Sequence, residues 1–175
     1  EAGYTTVLNG SGETEVNLRL SNLISSGEVV GPNLIPSVSI SLRQTPAEAR
    51  AAIRAMADAG VYHTGEIALT PEPGPSSAEL TVLSAILDEA EQVGVQVNVH
   101  AVSSPATVAA AEIGVTRFVH LPNKDWTSYD QAEVLAENGA IISGLIAFGA
   151  PTLERESAAP APVQYPRDNM PRFRD

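Results

Sequence analysis

The run VQVNVHAVSSPATVAAAEIGVTRFVH, residues 95–120, decides the fold class. Its first six residues, Val95-Gln96-Val97-Asn98-Val99-His100, alternate apolar and polar side chains, the period of a strand. Asn98 and His100 are thereby placed on one face, with Val97 and Val99 on the other. Ser104-Pro105 then opens a helix that stops near Gly114, and Arg117 to His120 reads as a second strand. A strand, a helix and a strand in this order form a parallel pair joined by a right-handed crossover.

Working outward, the same alternation covers most of the chain. Strands are expected at residues 5–8, 34–42, 64–69, 95–100, 117–120 and 140–148. Between them, Thr45-Pro46-Ala47-Glu48 has an N-cap, a proline at the first helical position and a capping-box glutamate, followed by the stripe Ile53, Met56 and Ala57 and a stop at Gly60. Ser76-Ser77-Ala78-Glu79 opens the next helix, with Leu80, Leu83, Leu87 and Ala90 on one face before Gly94. Thr127 or Ser128 caps a later helix that ends at Gly139, and Val16, Leu20 and Leu23 mark the stripe of the first one. The expected class is α/β, a TIM-type (β/α)8 barrel that is incomplete, with about six βα units over residues 1–150. Residues 151–175, with Pro160, Pro162, Pro166 and Pro171, read as a Pro-rich loop or tail. Asn9-Gly10-Ser11-Gly12 lacks the third glycine of a dinucleotide fingerprint and reads as a strand-to-helix loop.

Bulk composition narrows the chemistry. At 175 residues, 43% hydrophobic and 18% charged, the chain suits one globular domain. A formal charge of −11, with acidic residues spread over helix surfaces, argues against nucleic acid or an anionic membrane as partner and favours a small-molecule substrate. The absence of cysteine excludes disulfides, thiolate metal sites and cysteine nucleophiles, so any metal must use His, Asp, Glu or a modified Lys. No apolar run reaches the ~20 residues of a membrane span. The sequence starts at Glu1 without an initiator methionine and enters Tyr4-Thr5-Thr6-Val7-Leu8 at once, so further sequence is expected before it. The compartment is left open.

In barrels of this kind the reactive groups stand at the C-terminal ends of strands. His100 and His120 close successive expected strands, where adjacent backbones run ~5 Å apart and two imidazoles can converge on one ion at ~2.1 Å each. His63 starts its strand and is assigned to the opposite rim. Glu66, in an otherwise apolar or small Thr64-Gly65-Glu66-Ile67-Ala68-Leu69, is either a metal ligand or a rim carboxylate, because a buried carboxylate without a partner is costly. Asp88, Glu89, Glu91, Asp130 and Glu133 read as solvated helix surface. No GxSxG elbow is present, and Val102-Ser103-Ser104 is explained by helix capping. Lys124 and Trp126, after His120, read as loop residues.

Four segments together resemble a known family. Ala2-Gly3-Tyr4-Thr5-Thr6-Val7 is similar to a second-strand GxTTV motif, and Gly31-Pro32-Asn33-Leu34-Ile35 to the GPRL stretch before strand three. Val99-His100-Ala101 resembles the fifth-strand VHA, and Val119-His120-Leu121-Pro122 the sixth-strand EHG or HLP. The family is the metal-dependent amidohydrolases, in the branch with prolidase-like and imidazolonepropionase-like enzymes. The resemblance implies that His100 and His120 are the metal ligands of strands five and six, with Glu66 standing where the family usually has a carboxylated lysine. The cofactor it implies is a divalent metal, most simply zinc, as one ion or two. The family's first-strand HxH pair and its eighth-strand aspartate, the catalytic proton carrier, have no counterpart here, so the chain corresponds to strands two to seven.

The expectation is a segment of a hydrolase that cleaves an amide or other C–N bond of a small substrate with metal-activated water, inactive alone. A homo-oligomer or a complementary chain completing the barrel is the expected protein partner, because a partial barrel leaves strand edges and apolar lining exposed. Two other readings stand beside it. One is a different metal-dependent barrel enzyme, an isomerase or an endonuclease-like one, and the other is a degenerate, non-catalytic barrel.

Overall fold

The computed structural model describes residues 3–10 and 12–144. Its elements alternate as β1 (Thr6–Leu8), α1 (Thr14–Ser25), β2 (Asn33–Ile35), α2 (Pro46–Asp58), β3 (His63–Ala68), α3 (Ser77–Val93), β4 (Gln96–His100), α4 (Ser104–Glu112), β5 (Arg117–Phe118), α5 (Tyr129–Glu137) and β6 (Ile141–Ile142). The strands form two sheets, β1-β2 and β3-β4-β5-β6. Both β1–β2, in register from Thr6↔Asn33 to Leu8↔Ile35, and β5–β6 are parallel. The α/β class expected from the alternation is therefore observed. No helix among the described residues is long and apolar enough to cross a membrane.

Helix starts follow the local signals. Thr45 caps α2 through a full capping box: its hydroxyl accepts from the Glu48 N–H at 3.3 Å, and its own N–H donates to Glu48 Oε2 at 2.8 Å. The backbone N–H and hydroxyl of Thr45 hold the Glu48 carboxyl below the ordinary carboxylate range. Of the two candidates before α5, Ser128 is the cap and Gln131 completes its box. Ser103 caps α4, which accounts for the serine pair after β4.

Strand ends differ more from expectation. The strand expected over 34–42 stops at Ile35, because Pro36 has no N–H for the ladder, and pairing resumes only as a parallel bridge between Val38 and Thr64. The strand expected over 117–120 ends at Phe118. Of the one expected over 140–148, Ile141–Ile142 is strand, and residues 145–148 lie outside the described residues, as does the expected Pro-rich tail at 151–175.

The chain divides into two compact units, one built from the residues up to Ala68 with Ser77–Val99, the other from Leu69–Ser76 and the residues from His100 on. In the first, α2 packs on α3. Ala49, Ile53 and Met56 are buried from α2, and Val82, Leu83, Ala85, Ile86 and Ala90 from α3, with Ile67, Val97 and Val99 buried from β3 and β4. Leu80 and Leu87, expected on the buried stripe of α3, are half-buried. Glu89, expected on solvated surface, is buried on α3 and accepts from Arg54 at 2.8 Å, with Arg50 3.7 Å away. Two arginines of α2 supply the charge that lets a carboxylate sit there.

Helix α1 departs furthest. Two residues of its expected stripe face outward, Val16 57% and Leu20 41% exposed, while Leu23 is half-buried and Asn17 is buried. Polar side chains of α1 meet backbone carbonyls there. Asn17 Nδ2 donates to the Ser37 carbonyl at 3.2 Å, Asn9 Nδ2 donates to Asn17 Oδ1, and Ser21 Oγ donates to the Leu34 carbonyl at 2.9 Å. Backbone carbonyls need donors, and apolar side chains supply none.

The second unit packs α4 on α5. Its buried residues are small on α4 (Ala106, Thr107, Ala110 and Ala111), with Val115, Phe118 and Leu135 around them.

Candidate metal centre

His100 is the last residue of β4, a strand whose Val97, Asn98 and Val99 are all buried. Asn98 is an amide in an apolar strand, and Thr64 satisfies it: Asn98 Nδ2 donates to the Thr64 carbonyl at 2.7 Å, and the Asn98 N–H to Thr64 Oγ1 at 2.9 Å. The His100 carbonyl accepts from the Leu69 N–H at 3.1 Å, so the backbone is still in ladder geometry where the imidazole projects. His120 lies two residues beyond Phe118, in the loop rather than closing a strand, and is 6% exposed.

Polar contacts between the loops that follow β4 and β5 hold them together. The N–H groups of Asn123 and Lys124 both donate to the Val102 carbonyl at 3.0 Å. Asp125 Oδ1 accepts from the Ser104 N–H at 2.7 Å, at the N-terminus of α4, where a carboxylate also meets the positive end of the helix dipole. Ser104 and Thr127 hydroxyls lie 2.8 Å apart, and Ser103 Oγ donates to the Pro71 carbonyl at 2.7 Å. Sequence reasoning passed over Asp125. Its signal was a lone carboxylate in the loop after the second histidine, within reach of the helix start one unit earlier. The Lys124 and Trp126 side chains are exposed loop residues, as expected.

With both loops held, the two imidazoles meet. His120 Nε2 lies 2.7 Å from His100 Nδ1, with ring centroids 4.2 Å apart and planes at 89°. The other nitrogen of His120, Nδ1, faces the Leu121 carbonyl at 3.4 Å. Nδ1 of His120 thus faces a backbone acceptor, and Nε2 faces the His100 ring. Two nitrogens on one tetrahedral ion, each at ~2.1 Å, stand ~3.4 Å apart. The pair has the donor chemistry for a cation.

Glu66 stands in β3 on the face of Thr64 and Ala68, while Gly65 and Ile67 are buried on the other. Its side chain is exposed, and its N–H donates to the Gly10 carbonyl at 2.8 Å, which fixes the backbone from which the carboxylate projects. His63 opens β3 and is half-buried, at the strand start assigned to it from the sequence.

No family model and no curated protein matches the chain. Solved structures do. The chain is similar to a Xaa-Pro dipeptidase solved with methionine in its active site, at 19% identity and a TM-score of 0.69 over 93% of this chain and 48% of that one. An amidohydrolase aligns at 20% identity and TM-score 0.65, again over 93% and 48%. A putative prolidase from Bifidobacterium longum aligns at 24% identity and TM-score 0.64, over 93% and 46%. This chain therefore spans about half the length of the solved amidohydrolase- and prolidase-type structures it matches, and over that span it has their fold.

Proposed function

We propose that the chain is part of a metal-dependent hydrolase acting on an amide or other C–N bond of a small substrate, built on a (β/α)8 barrel of which this segment supplies about six units. His100, His120 and Glu66 are the proposed ligands. The observation that carries this reading is the imidazole pair at the ends of consecutive βα units. In support, two imidazoles and a carboxylate are a donor set suited to zinc and related divalent ions. The names of the aligned structures support the hydrolase class.

A zinc-type ion bound there would supply an activated water near neutral pH and polarise the scissile carbonyl. The protein's own residues orient the donors. The Leu121 carbonyl faces Nδ1 of His120 at 3.4 Å, on the side of the ring away from His100. The carbon–nitrogen chemistry also needs a proton carrier for the leaving nitrogen, a role the family resemblance gives to an aspartate outside this chain, and the segment alone is accordingly proposed to be inactive.

Elemental analysis of the full-length protein tests the ligand set. His100→Ala and His120→Ala are each expected to lower bound metal at least tenfold, together with hydrolysis of Xaa-Pro dipeptides or N-acyl amino acids. Unchanged metal content in both variants would remove the two histidines as ligands, and a full-length protein that takes up no metal would sink the enzyme reading altogether.

A further inference from the structure

Gly10 belongs to the Asn9-Gly10-Ser11-Gly12 segment, which the sequence assigned only to a connecting loop. Its φ lies outside the left-handed region, so its backbone does not demand glycine. What it lacks is room. A Cβ built at Gly10 would stand 3.2 Å from Glu66 Oε1, 3.8 Å from Cγ and 3.9 Å from Cδ, so the Glu66 side chain lies directly over this residue. The two are also tied through the backbone, since the Glu66 N–H donates to the Gly10 carbonyl at 2.8 Å.

Neighbouring Gly65 shows the contrast. A Cβ there would meet the Gly10 carbonyl oxygen at 2.8 Å and Ser39 Oγ at 3.3 Å, and backbone cannot yield as a carboxylate can. Gly65 therefore serves close approach of the loop to β3. Gly10, with only the end of a flexible side chain above it, serves the position of that side chain.

We infer that Gly10 is a positioning residue for the Glu66 carboxylate, setting where it presents its oxygens to the bound cation. The inference rests on the reading of Glu66 as a ligand. A methyl group at position 10 would push Oε1 by a few tenths of an ångström, leaving the fold in place and moving the donor, and displacements of this kind at metal ligands cost ~10–100-fold in affinity.

The test is a double-mutant cycle on the full-length protein, read by Zn²⁺ affinity against a chromophoric chelator and by the visible spectrum of the Co²⁺ form. Gly10→Ala is expected to weaken Zn²⁺ binding ~10-fold and shift the Co²⁺ bands, with an unchanged far-ultraviolet dichroism spectrum. In a Glu66→Gln background the same substitution should cost nothing further, because its effect passes through the carboxylate. Equal losses in both backgrounds, wild-type affinity of Gly10→Ala, or loss of fold in Gly10→Ala would each overturn the inference, the last by making the glycine structural. Glu66→Gln with wild-type affinity would instead overturn the assignment of Glu66 as a ligand.

Discussion

Helices α1 and α2 are nearly equal in length, 12 and 13 residues, and both carry apolar residues at helical spacing, yet they are held to the protein by opposite means. Helix α2 buries Ala49, Ile53 and Met56 against α3. Helix α1 turns Val16 and Leu20 outward and docks through Asn17 and Ser21 onto carbonyls of Ser37 and Leu34. The difference lies in what each helix meets. An apolar stripe goes inward where there is apolar surface to receive it, and backbone carbonyls that face a helix are satisfied by its polar side chains.

The largest expected effect tests α2. Ile53→Ala, at a fully buried site, should cost ~2–5 kcal/mol in urea denaturation of the full-length protein, whereas Leu20→Ala in α1 should stay within about 0.5 kcal/mol. Equal costs would erase the contrast. Next comes the polar dock: Asn17→Ala removes the bonds to the Ser37 carbonyl and the Asn9 amide and should cost ~1–3 kcal/mol. A cost near that of Leu20→Ala would mean that α1 is held by something other than these bonds.

The smallest effect concerns the caps. Thr45→Ala should cost ~1 kcal/mol, while Glu13→Ala should cost almost nothing, because Glu13 makes no side-chain cap bond to α1. The Thr45 effect also depends on pH. Thr45 holds the Glu48 carboxyl below its ordinary 4.5, so the stability this bond contributes is present above that value and is lost as pH falls through the lowered folded-state pKa. The gap between wild type and Thr45→Ala should therefore narrow in acid, and a gap that widened would contradict the sign.

Much of the architecture was legible because its signals are local. Thr45, Ser128 and the glycines at helix ends act within a few residues of themselves, and the alternation at 95–100 reports its own strand. The ends of short strands were less legible. Pairing depends on a neighbour distant in sequence, so Pro36 and the two residues after Phe118 fell outside the ladders expected to include them.

The sequence by itself determined the α/β alternation, the helix starts and the placement of His100 and His120 in consecutive βα units, because each follows from backbone preferences and side-chain period within one turn or strand. Tertiary structure alone decided that α1 turns Val16 and Leu20 to solvent, that Glu89 is buried under Arg50 and Arg54, that Asp125 ties its loop to the start of the preceding helix α4, and that the two imidazoles meet. Each of these joins groups about 20 residues or more apart in the chain, or depends on the surface a helix meets, and no window of local sequence carries the distance between them.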